Sequence, residues 1–404
     1  MSSRSLFAPL LLPLFLAACV STGPKSSDPV SVAGCPACTC PACPGAEPVK
    51  PAEKPLQAAV WADLPAWEED DPVPVFEAFL ASCATLEKRP LWKSTCAAAR
   101  QVEGRDPVVL RTWFEARFRP WAMTNPDGSR EGLITGYYEP VLKGSRKKKA
   151  PYVTPVFGPP EDMIVVELAD LYPELKHLRL RGRLEGRKLV PYLSRADWAQ
   201  EESKRSQEAL LWVDDAIDYF FMQIQGSGQI AFDDGSRVRL NYADQNGHPY
   251  RSIGKWLVDQ GELKIEQASM AGIKAWAKAN PRRLQEMLNA NPSLVFFREL
   301  PAEGSGPQGA LGVPLTPARS IAIDPRHLTL GAPVFLATTY PNDSRPLRRL
   351  MLAQDTGGAI RGVVRADFYW GSGAEAGAQA GKMRQQGRLW QLLPRDYQPE
   401  SAPK

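Results

Sequence analysis

The chain has little histidine and little net charge, and both shortages narrow its possible functions. It contains three histidines in 404 residues, at positions 177, 248 and 327, and their spacing is unlike that of a metal site. We therefore expect no metal and no other cofactor, and acid–base chemistry falls to carboxylates. The formal net charge of +4 is too weak to argue for a nucleic-acid partner.

Long apolar segments are also scarce. The run from Leu6 to Ala18 is thirteen residues long and contains two prolines, so it is too short to span a bilayer. It follows a basic start, which predicts a signal peptide at residues 1–18. Its end, LAAC, resembles a bacterial lipobox and predicts lipid on Cys19. Since Val20 follows, by resemblance to enterobacterial lipoproteins we expect an outer-membrane lipoprotein facing the periplasm. Secretion of a soluble product is the alternative.

Prolines are concentrated in residues 19–58, which we interpret as a tether. Eight prolines lie between positions 24 and 55, and this composition favours an extended chain without a core. The segment also holds four of the seven cysteines, at positions 35, 38, 40 and 43. In an oxidising compartment, and without neighbouring histidines, disulfides are favoured over a metal site there.

Two further cysteines, Cys83 and Cys96, follow the tether. They lie on successive helical patterns that Pro90 interrupts. Two short helices folded back on each other would bring the thiols together, which predicts a disulfide. Two buried free thiols are the alternative, and export of the protein makes it less favourable.

Short strand-like segments dominate the rest of the chain. They cover residues 163–168, 219–225, 237–242, 320–324, 333–337, 349–354 and 389–393. Helical patterns cover residues 73–86, 91–101, 107–117, 269–279 and 281–290. The sequence therefore predicts a mainly β protein with some helices.

One carboxylate stands out near the end of the chain. Asp355 follows an apolar run and precedes two glycines, and Asp367 lies in an aromatic run twelve residues later. A carboxyl group beside an open gap suits sugar chemistry, because the acid must reach a glycosidic oxygen and aromatic rings can stack on pyranoses. The alternative is a tight turn between two strands, with Asp355 as a turn residue.

Several motifs appear in the order expected of one known family. They are residues 134–140 (ITGYYEP), 221–228 (FMQIQGSG), 246–254 (NGHPYRSIG) and 291–298 (NPSLVFFR), followed by 323–325 (IDP), 355–358 (DTGG) and 366–369 (ADFY). From about residue 75 to 395 the chain resembles the membrane-bound lytic murein transglycosylase A family with its C-terminal three-aspartate domain. The resemblance implies a double-psi β-barrel catalytic domain formed by residues 59–150 and 290–398. A second β domain, residues 151–289, would be inserted, with a groove between the two.

The resemblance also implies a reaction on the glycan strands of peptidoglycan. The β-1,4 bond from N-acetylmuramic acid to N-acetylglucosamine would be cleaved without water, leaving a 1,6-anhydro end. Such a reaction needs one catalytic carboxyl group, because the nucleophile is the C6 hydroxyl of the muramyl residue itself. The family's catalytic aspartate corresponds to Asp355, which would protonate the leaving oxygen and then accept the C6 hydroxyl proton.

Other site residues are assigned from the same motifs. Asp324 and Asp367 would raise the pKa of Asp355 by their charge; capping of a turn before Pro325 and a hydrogen bond within the barrel are the respective alternatives. The candidates for substrate binding are Thr135, Tyr137, Gln223, Gln225, Gly226, Ser227, Asn246 and Arg251. A strand bend at residues 226–228 and a structural ion pair at Arg251 are the corresponding structural interpretations. Tyr137 and Tyr138 alternate on a strand, so one of them is expected to face the groove.

Two other functions stay open at this point. A hydrolase of the same glycan would pair Asp355 with Glu139 or with Asp367, and its products would carry reducing ends instead of anhydro ends. A non-enzymatic lipoprotein could instead anchor the outer membrane by binding peptidoglycan. The three aspartates argue against that second function, because binding alone requires none of them to be protonated.

Overall fold

A computed structural model describes residues 55–176, 178–302 and 306–399 of the chain. The predicted signal peptide, Cys19, the four tether cysteines and His177 lie outside these ranges. Within them, no helix is long and apolar enough to cross a bilayer.

The described chain is mainly β, with helices packed on its sheets. The strands are β1 (Leu56–Ala58), β2 (Phe118–Met123), β3 (Gly132–Glu139), β4 (Val141–Ser145), β5 (Thr154–Phe157), β6 (Ile164–Val165), β7 (Arg181–Glu185), β8 (Lys188–Pro191), β9 (Ala209–Val213), β10 (Ser227–Phe232), β11 (Arg237–Gln245), β12 (Val295–Pro301), β13 (Ser320–Ile323), β14 (Pro333–Thr339), β15 (Pro346–Thr356), β16 (Ala366–Ser372) and β17 (Arg384–Pro394). The α-helices are α1 (Val73–Leu86), α2 (Pro90–Arg100), α3 (Pro107–Arg117), α4 (Arg195–Glu201), α5 (Ala216–Gln225), α6 (Ile253–Asp259), α7 (Met270–Ala279), α8 (Leu284–Asn289) and α9 (Gly373–Ala380).

Six strands close into a barrel. Their order is β17-β14-β15-β13-β16-β3, and β3 pairs back to β17, while β2 and β1 extend the sheet from β17. The interior is apolar and takes residues from every barrel strand, such as Ile134, Ile321, Leu336, Met351, Phe368 and Leu389. Since β3 precedes the other barrel strands by some 180 residues of chain, the barrel is discontinuous in sequence, as expected. The double-psi connectivity stays a prediction.

A second, six-stranded sheet lies between β3 and β13 in the sequence. Its order is β12-β11-β10-β4-β9-β5, and a small sheet of β6, β7 and β8 accompanies it. The chain passes from the barrel to this sheet at Pro140, which separates β3 from β4, and the sheet's last strand ends at Pro301. The second sheet therefore reaches past residues 150 and 290, the limits that the sequence suggested for the inserted domain.

Helices α1, α2 and α3 cover one side of the barrel. Phe76 and Phe79 of α1 are fully buried and form an aromatic cluster with Phe114 of α3 and Phe118 of β2. A disulfide joins Cys83 in α1 to Cys96 in α2, thirteen residues later. The three helices therefore form an apolar layer against the barrel, and a disulfide links two of them.

Two of the strands predicted from the sequence were wrong. Residues 219–225 belong to helix α5, which starts at the cap Asp215, whose side chain accepts from two backbone N–H groups. The helix ends at Gly226, which has a left-handed conformation with φ of 79°. A continuous apolar run fits a buried strand and a buried helix equally well, so the end signals decide. Of residues 163–168, only Ile164 and Val165 form a strand.

Candidate functional site

The two candidate carboxylates lie on the same outer face of the barrel. Ala322 of β13 pairs with Asp355 of β15 on one side and with Asp367 of β16 on the other. Its neighbours Ile321 and Ile323 point into the barrel core, so Ala322 points outward. Paired residues of adjacent strands project to the same face. Asp355 and Asp367 therefore face away from the barrel core.

A β-bulge gives Asp355 this orientation. Ile321 pairs with Ala353, but the next residue of β13 pairs with Asp355, so Gln354 is an extra residue in β15. Gln354 is fully buried and its Nε2 donates to the Ser82 hydroxyl (2.9 Å) and to the Ala78 carbonyl (3.1 Å) of α1. If Gln354 took a regular place in the ladder instead, strict alternation would place Asp355 on the same face as Ala353, which points into the barrel core.

The Asp355 carboxyl group is partly buried and has three hydrogen-bond donors. Its Oδ1 accepts from the backbone N–H of Ala310 and of Thr356, both at 2.9 Å. Its Oδ2 accepts from the Tyr137 hydroxyl at 3.1 Å. Burial raises the pKa of Asp355 above its usual value, although these donors and the charge of Arg179 oppose the shift.

Asp367 is held by a different set of polar groups. Its Oδ1 accepts from the Thr135 hydroxyl at 2.6 Å, and that hydroxyl accepts from Nη2 of Arg365 at 2.9 Å. Burial raises the pKa of Asp367 to about 6; the Thr135 hydrogen bond and the Arg365 charge oppose the rise, while the charge of Asp355 adds to it. Thr135 therefore positions the second carboxyl group of the site.

Only one of the two neighbouring tyrosines faces the carboxylates. Tyr137 is buried, and its ring lies 5.2 Å from that of Tyr369, centroid to centroid. Burial, followed by the charge of Asp355, raises the pKa of its hydroxyl well above the usual value, so Tyr137 is a neutral donor. Tyr138 points the other way, and its ring lies against Gly377 of α9. Its backbone N–H donates to Oε1 of Gln225 at 3.0 Å.

A groove cavity of about 490 Å³ lies between the barrel and the second sheet. On the barrel side, Asp355 and the turn that follows it line this cavity. The turn leaves open space, because a Cβ atom added at Gly358 would meet no other atom within 4 Å. The predicted residues that line the opposite side are Gln223, Gln225, Gly226 and Ser227, from the end of α5 and the start of β10. The structure thus brings four of the eight predicted binding residues to the groove opposite Asp355, and a fifth, Tyr137, contacts the carboxyl group itself.

Asn246 and Arg251 lie outside this cavity. Asn246 is fully buried; its Nδ2 donates to the carbonyls of Leu193 and Pro292, and its Oδ1 accepts from the backbone N–H of Leu294. Its amide is therefore fully used in holding loops together. Arg251 is exposed, and its backbone N–H donates to the Asn291 side chain. No ion pair of Arg251 is present within the described ranges, so the alternative of a structural ion pair finds no partner there.

Asp324 is the third aspartate of the motif and sits in a turn. Its carboxylate accepts from the Arg326 guanidinium, at 2.5 Å from Nη2, and from the backbone N–H of Gly362 at 2.9 Å. Burial opposes ionisation, but these hydrogen bonds and the Arg326 charge dominate and hold the pKa of Asp324 well below its usual range. Its Oδ1 also accepts from the backbone N–H of Arg326 at 3.2 Å, which is the geometry of the turn-capping alternative.

Glu139 lies at the crossing between the two sheets. Its carboxylate is fully buried and accepts from Nε of Arg239 (2.6 Å), the Ser372 hydroxyl (2.5 Å) and Nε2 of Gln229 (2.9 Å). Arg239 and Gln229 lie on strands of the second sheet, and Ser372 ends a strand of the barrel. Such a paired carboxylate is unavailable as a second catalytic group for Asp355.

Two groups near Asp355 escaped the sequence analysis. The N–H of Ala310 comes from the loop before β13, and a backbone donor leaves no signal in residue type. Arg179 lines the groove cavity, and its Nη1 donates to the Tyr242 hydroxyl at 3.0 Å. A positive charge at this place can act on Asp355 and on an acidic substrate group. None of the motifs in the sequence contains Arg179, so no signal in the sequence indicated this role.

Fold and site together define a class of proteins in which a closed β-barrel presents a protonatable carboxyl group to a groove formed with an inserted β domain. Comparisons with known proteins agree. The model of the MltA specific insert domain matches residues 133–298, and that of the 3D domain matches residues 319–393.

Relatives and solved structures extend the match over most of the folded chain. Membrane-bound lytic murein transglycosylase A of Escherichia coli K12 is 35% identical over 67% of this chain and 68% of its own length. The crystal structure of MltA from Neisseria gonorrhoeae is 39% identical and covers 86% of this chain and 94% of its own, with a TM-score of 0.75. The structure of E. coli MltA with bound chitohexaose covers 86% of this chain and 93% of its own, at 27% identity and a TM-score of 0.61. The chain belongs to the membrane-bound lytic murein transglycosylase A family.

Proposed function

We propose that the chain is a lytic transglycosylase that cleaves peptidoglycan glycan strands at the β-1,4 bond from N-acetylmuramic acid to N-acetylglucosamine and leaves 1,6-anhydro ends. The observation that carries the proposal is Asp355, a carboxyl group with a raised pKa at the floor of a groove between two β domains. The bound chitohexaose of the E. coli relative is a β-1,4-linked sugar chain, which supports a glycan strand as the occupant of the groove.

The hydrogen bonds around Asp355 indicate which oxygen carries the proton. Oδ1 accepts from two backbone N–H groups, which can only donate, so a proton on Oδ1 would clash with both. Oδ2 faces the Tyr137 hydroxyl, which can rotate and accept instead. The proton of neutral Asp355 therefore sits on Oδ2, and this atom protonates the glycosidic oxygen.

Once the bond breaks, Asp355 is ionised and becomes the base for the second half of the reaction. Its Oδ2 then accepts the proton of the muramyl C6 hydroxyl as that oxygen attacks C1 of the same residue. The donors at Ala310, Thr356 and Tyr137 stabilise the ionised form during this interval. Because the nucleophile belongs to the substrate, no second carboxylate is required to activate water.

We assign Asp367 and Thr135 to positioning and electrostatic support of Asp355. Asp367 lies on the same face, and the charge of Asp355 is among the causes that raise the pKa of Asp367. Gln223, Gln225, Gly226 and Ser227 are assigned to substrate contact, since they line the groove opposite Asp355. Amide and hydroxyl groups of this kind can hydrogen-bond the N-acetyl and hydroxyl groups of sugars.

The hydrolase alternative now depends on Asp367 alone, because Glu139 is fully engaged with Arg239. End groups separate the two reactions. Purified sacculi are digested with the protein, and the muropeptides are analysed by mass spectrometry. We expect 1,6-anhydro ends; reducing ends would establish hydrolysis, and no release at all would favour a binding protein.

Asp355→Asn tests the residue assignment. The variant keeps the shape of the side chain but removes the transferable proton, and general acid catalysis contributes roughly two to four decades of rate. We expect near-complete loss of muropeptide release with an unchanged melting curve. Asp234→Asn, at an exposed position outside the groove, is the control for the loss of one negative charge. Activity of Asp355→Asn within a few-fold of the unaltered protein would contradict the assignment.

We also propose that the protein is an outer-membrane lipoprotein with its catalytic domains in the periplasm. The lipobox-like LAAC sequence and Cys19 support this location, and the curated relatives carry the name membrane-bound. We propose residues 1–18 as signal peptide and 19–58 as lipidated tether. We keep the division of the folded chain into a barrel domain (59–150 with 290–398) and an inserted domain (151–289), although the second sheet itself runs from Val141 to Pro301. The tether would let the groove reach glycan strands that lie away from the lipid surface.

A further inference from the structure

A second cavity lies inside the inserted domain, beside the groove. Its volume is about 170 Å³, more than ten times the roughly 10–15 Å³ that one water molecule needs. Gln223 and Val295 line this cavity and the groove cavity alike, so the two share a wall. The proposed reaction uses only the groove and leaves this inner cavity unexplained.

A buried arginine forms one side of the inner cavity. Arg195 is 8% exposed; its Nε donates to the carbonyl of Asn291, and its Nη2 donates to the carbonyl of Ser293 and to Oε1 of Gln223. All three acceptors are uncharged. Burial lowers the pKa of Arg195 to about 10, which still leaves it positively charged at neutral pH.

This arginine has no salt bridge to a carboxylate in the part of the chain that the structure describes. Burial of a charge without a counter-ion is costly, and buried guanidinium groups are usually paired with carboxylates or phosphates. Glu202 lines the same cavity and its charge acts on Arg195, but the two form no salt bridge. An anionic group supplied from outside the chain could therefore pair with the guanidinium directly.

The amide of Gln223 offers a second donor at the same place. Gln223 is 4% exposed, and its Nε2 makes no hydrogen bond, although its Oε1 is held by Arg195. The hydroxyl of Tyr219, one turn earlier on α5, interacts with the side chain of Gln223, and since Nε2 carries two N–H groups, this single contact leaves at least one of them for a ligand. An unpartnered buried N–H group costs free energy, which an acceptor entering the cavity would recover.

The remaining walls suit a small acid with an apolar part. Trp198 and Phe220 contribute aromatic surface, and the Arg195 guanidinium lies 4.8 Å from the Phe220 ring centroid. Glu202 also lines the cavity, but the charges of Lys148 and Arg195 both act on it. The two cations and one carboxylate leave a local excess of one positive charge, which favours an anion.

We propose that the inner cavity binds a small carboxylate-bearing group, and that the acidic stem peptide of the glycan in the groove supplies it. The carboxylate would accept from Nε2 of Gln223 and compensate the charge of Arg195. The assignment to the stem peptide rests on the proposed function of the protein. The binding of a carboxylate in the cavity does not depend on that function. The alternative source is a free small acid.

Ala199→Leu fills the cavity without changing any polar group. Ala199 lies on α4 and lines the inner cavity only. Leucine is a good helix former, so the helix should persist. Ala196→Leu, on the same helix but outside both cavities, is the matched control. Arg195→Met serves as a second variant, provided that its melting curve shows a folded protein.

In the first measurement, calorimetric titration gives the affinity of the protein for N-acetylalanine and for N-acetylalanine amide, which is neutral. We expect the acid to bind at least tenfold more tightly than the amide, and Ala199→Leu and Arg195→Met to lose this difference while Ala196→Leu keeps it. Equal binding of acid and amide, or no binding of either, would overturn the proposal.

The second measurement identifies the source of the carboxylate. The kcat/KM is compared for glycan strands that carry stem peptides and for strands from which an amidase has removed them. We expect a preference for peptide-bearing strands that Ala199→Leu abolishes, with cleavage of bare strands unchanged. An unchanged preference despite lost acid binding would refute the stem peptide and leave a free acid. Absence of cleavage of either strand would refute the proposed function, independently of the titration.

Discussion

Replacing Asp367 with asparagine should stabilise the protein at neutral pH. The folded chain holds the pKa of Asp367 at about 6, chiefly through burial, compared with a reference value of 3.8. Between pH 4 and 6 the folded state therefore binds more protons than the unfolded state, so stability falls as the pH rises through this window. Each pKa unit corresponds to about 1.36 kcal/mol, so the ionised carboxylate costs on the order of 3 kcal/mol above pH 7.

Asparagine resembles the neutral form of the carboxyl group and does not titrate. Its Oδ1 can still accept from the Thr135 hydroxyl, as the aspartate does at 2.6 Å. The free energy of unfolding of Asp367→Asn should therefore exceed that of the unaltered protein by about 3 kcal/mol more at pH 7.5 than at pH 4. Urea unfolding, followed by tryptophan fluorescence at several pH values, measures this difference directly.

Asp324→Asn is a control with the opposite sign. The folded chain lowers the pKa of Asp324, so its ionised form contributes stability that is present above pH 4 and lost in more acidic solution. This variant should be less stable than the unaltered protein at pH 7.5. If the stability of Asp367→Asn runs parallel to that of the unaltered protein from pH 4 to pH 7.5, the assignment of a raised pKa to Asp367 is wrong.

Three further predictions concern the proton donor, the disulfide and the lipid anchor. Tyr137→Phe removes a donor to Oδ2 of Asp355 and should raise the pKa of that carboxyl group; the alkaline limb of the pH–rate profile for muropeptide release should move to higher pH, and an unmoved limb would contradict the role of Tyr137. Reduction of the Cys83–Cys96 disulfide, whose loop spans thirteen residues, should lower the free energy of unfolding by roughly 3 kcal/mol; urea unfolding with and without reductant measures it, and an identical midpoint would refute it. Cys19→Ser should abolish lipid labelling and shift the protein to the soluble periplasmic fraction or leave its signal peptide uncleaved, whereas the domain from residue 60 onward should still release muropeptides; lipid labelling of the Cys19→Ser variant would contradict this anchor.

The sequence was most informative where chemistry depends on residue type. Asp355 could be singled out because a carboxylate precedes two glycines, and the motif around Asp367 supplied the second carboxyl group. The mainly β fold was predicted from the short strand-like segments, and its division into a barrel and an inserted β domain was implied by the resemblance to the family. Helices α1 and α3 were also predicted at their observed limits, because Pro107 and the apolar spacing mark them clearly.

The sequence was least informative where geometry alone decides. Asn246 belongs to a polar motif and was predicted to bind sugar, but its amide hydrogen-bonds four backbone groups instead. Helix α5 looked like a strand, since its apolar residues are continuous and the cap at Asp215 is a common turn residue as well. The donor at Ala310 is a backbone group, and the pairing of Arg195 with neutral acceptors arises only when distant loops meet.

The bulge at Gln354 links the orientation of Asp355 to helix α1. Gln354 stands outside the strand ladder, where its Nε2 donates to the Ser82 hydroxyl and to the Ala78 carbonyl of that helix. If Gln354 instead took a regular place in β15, strict alternation would turn Asp355 toward the barrel core. Substitutions at Ser82 would therefore be selected against for their effect on the position of the acid as well as for their effect on packing.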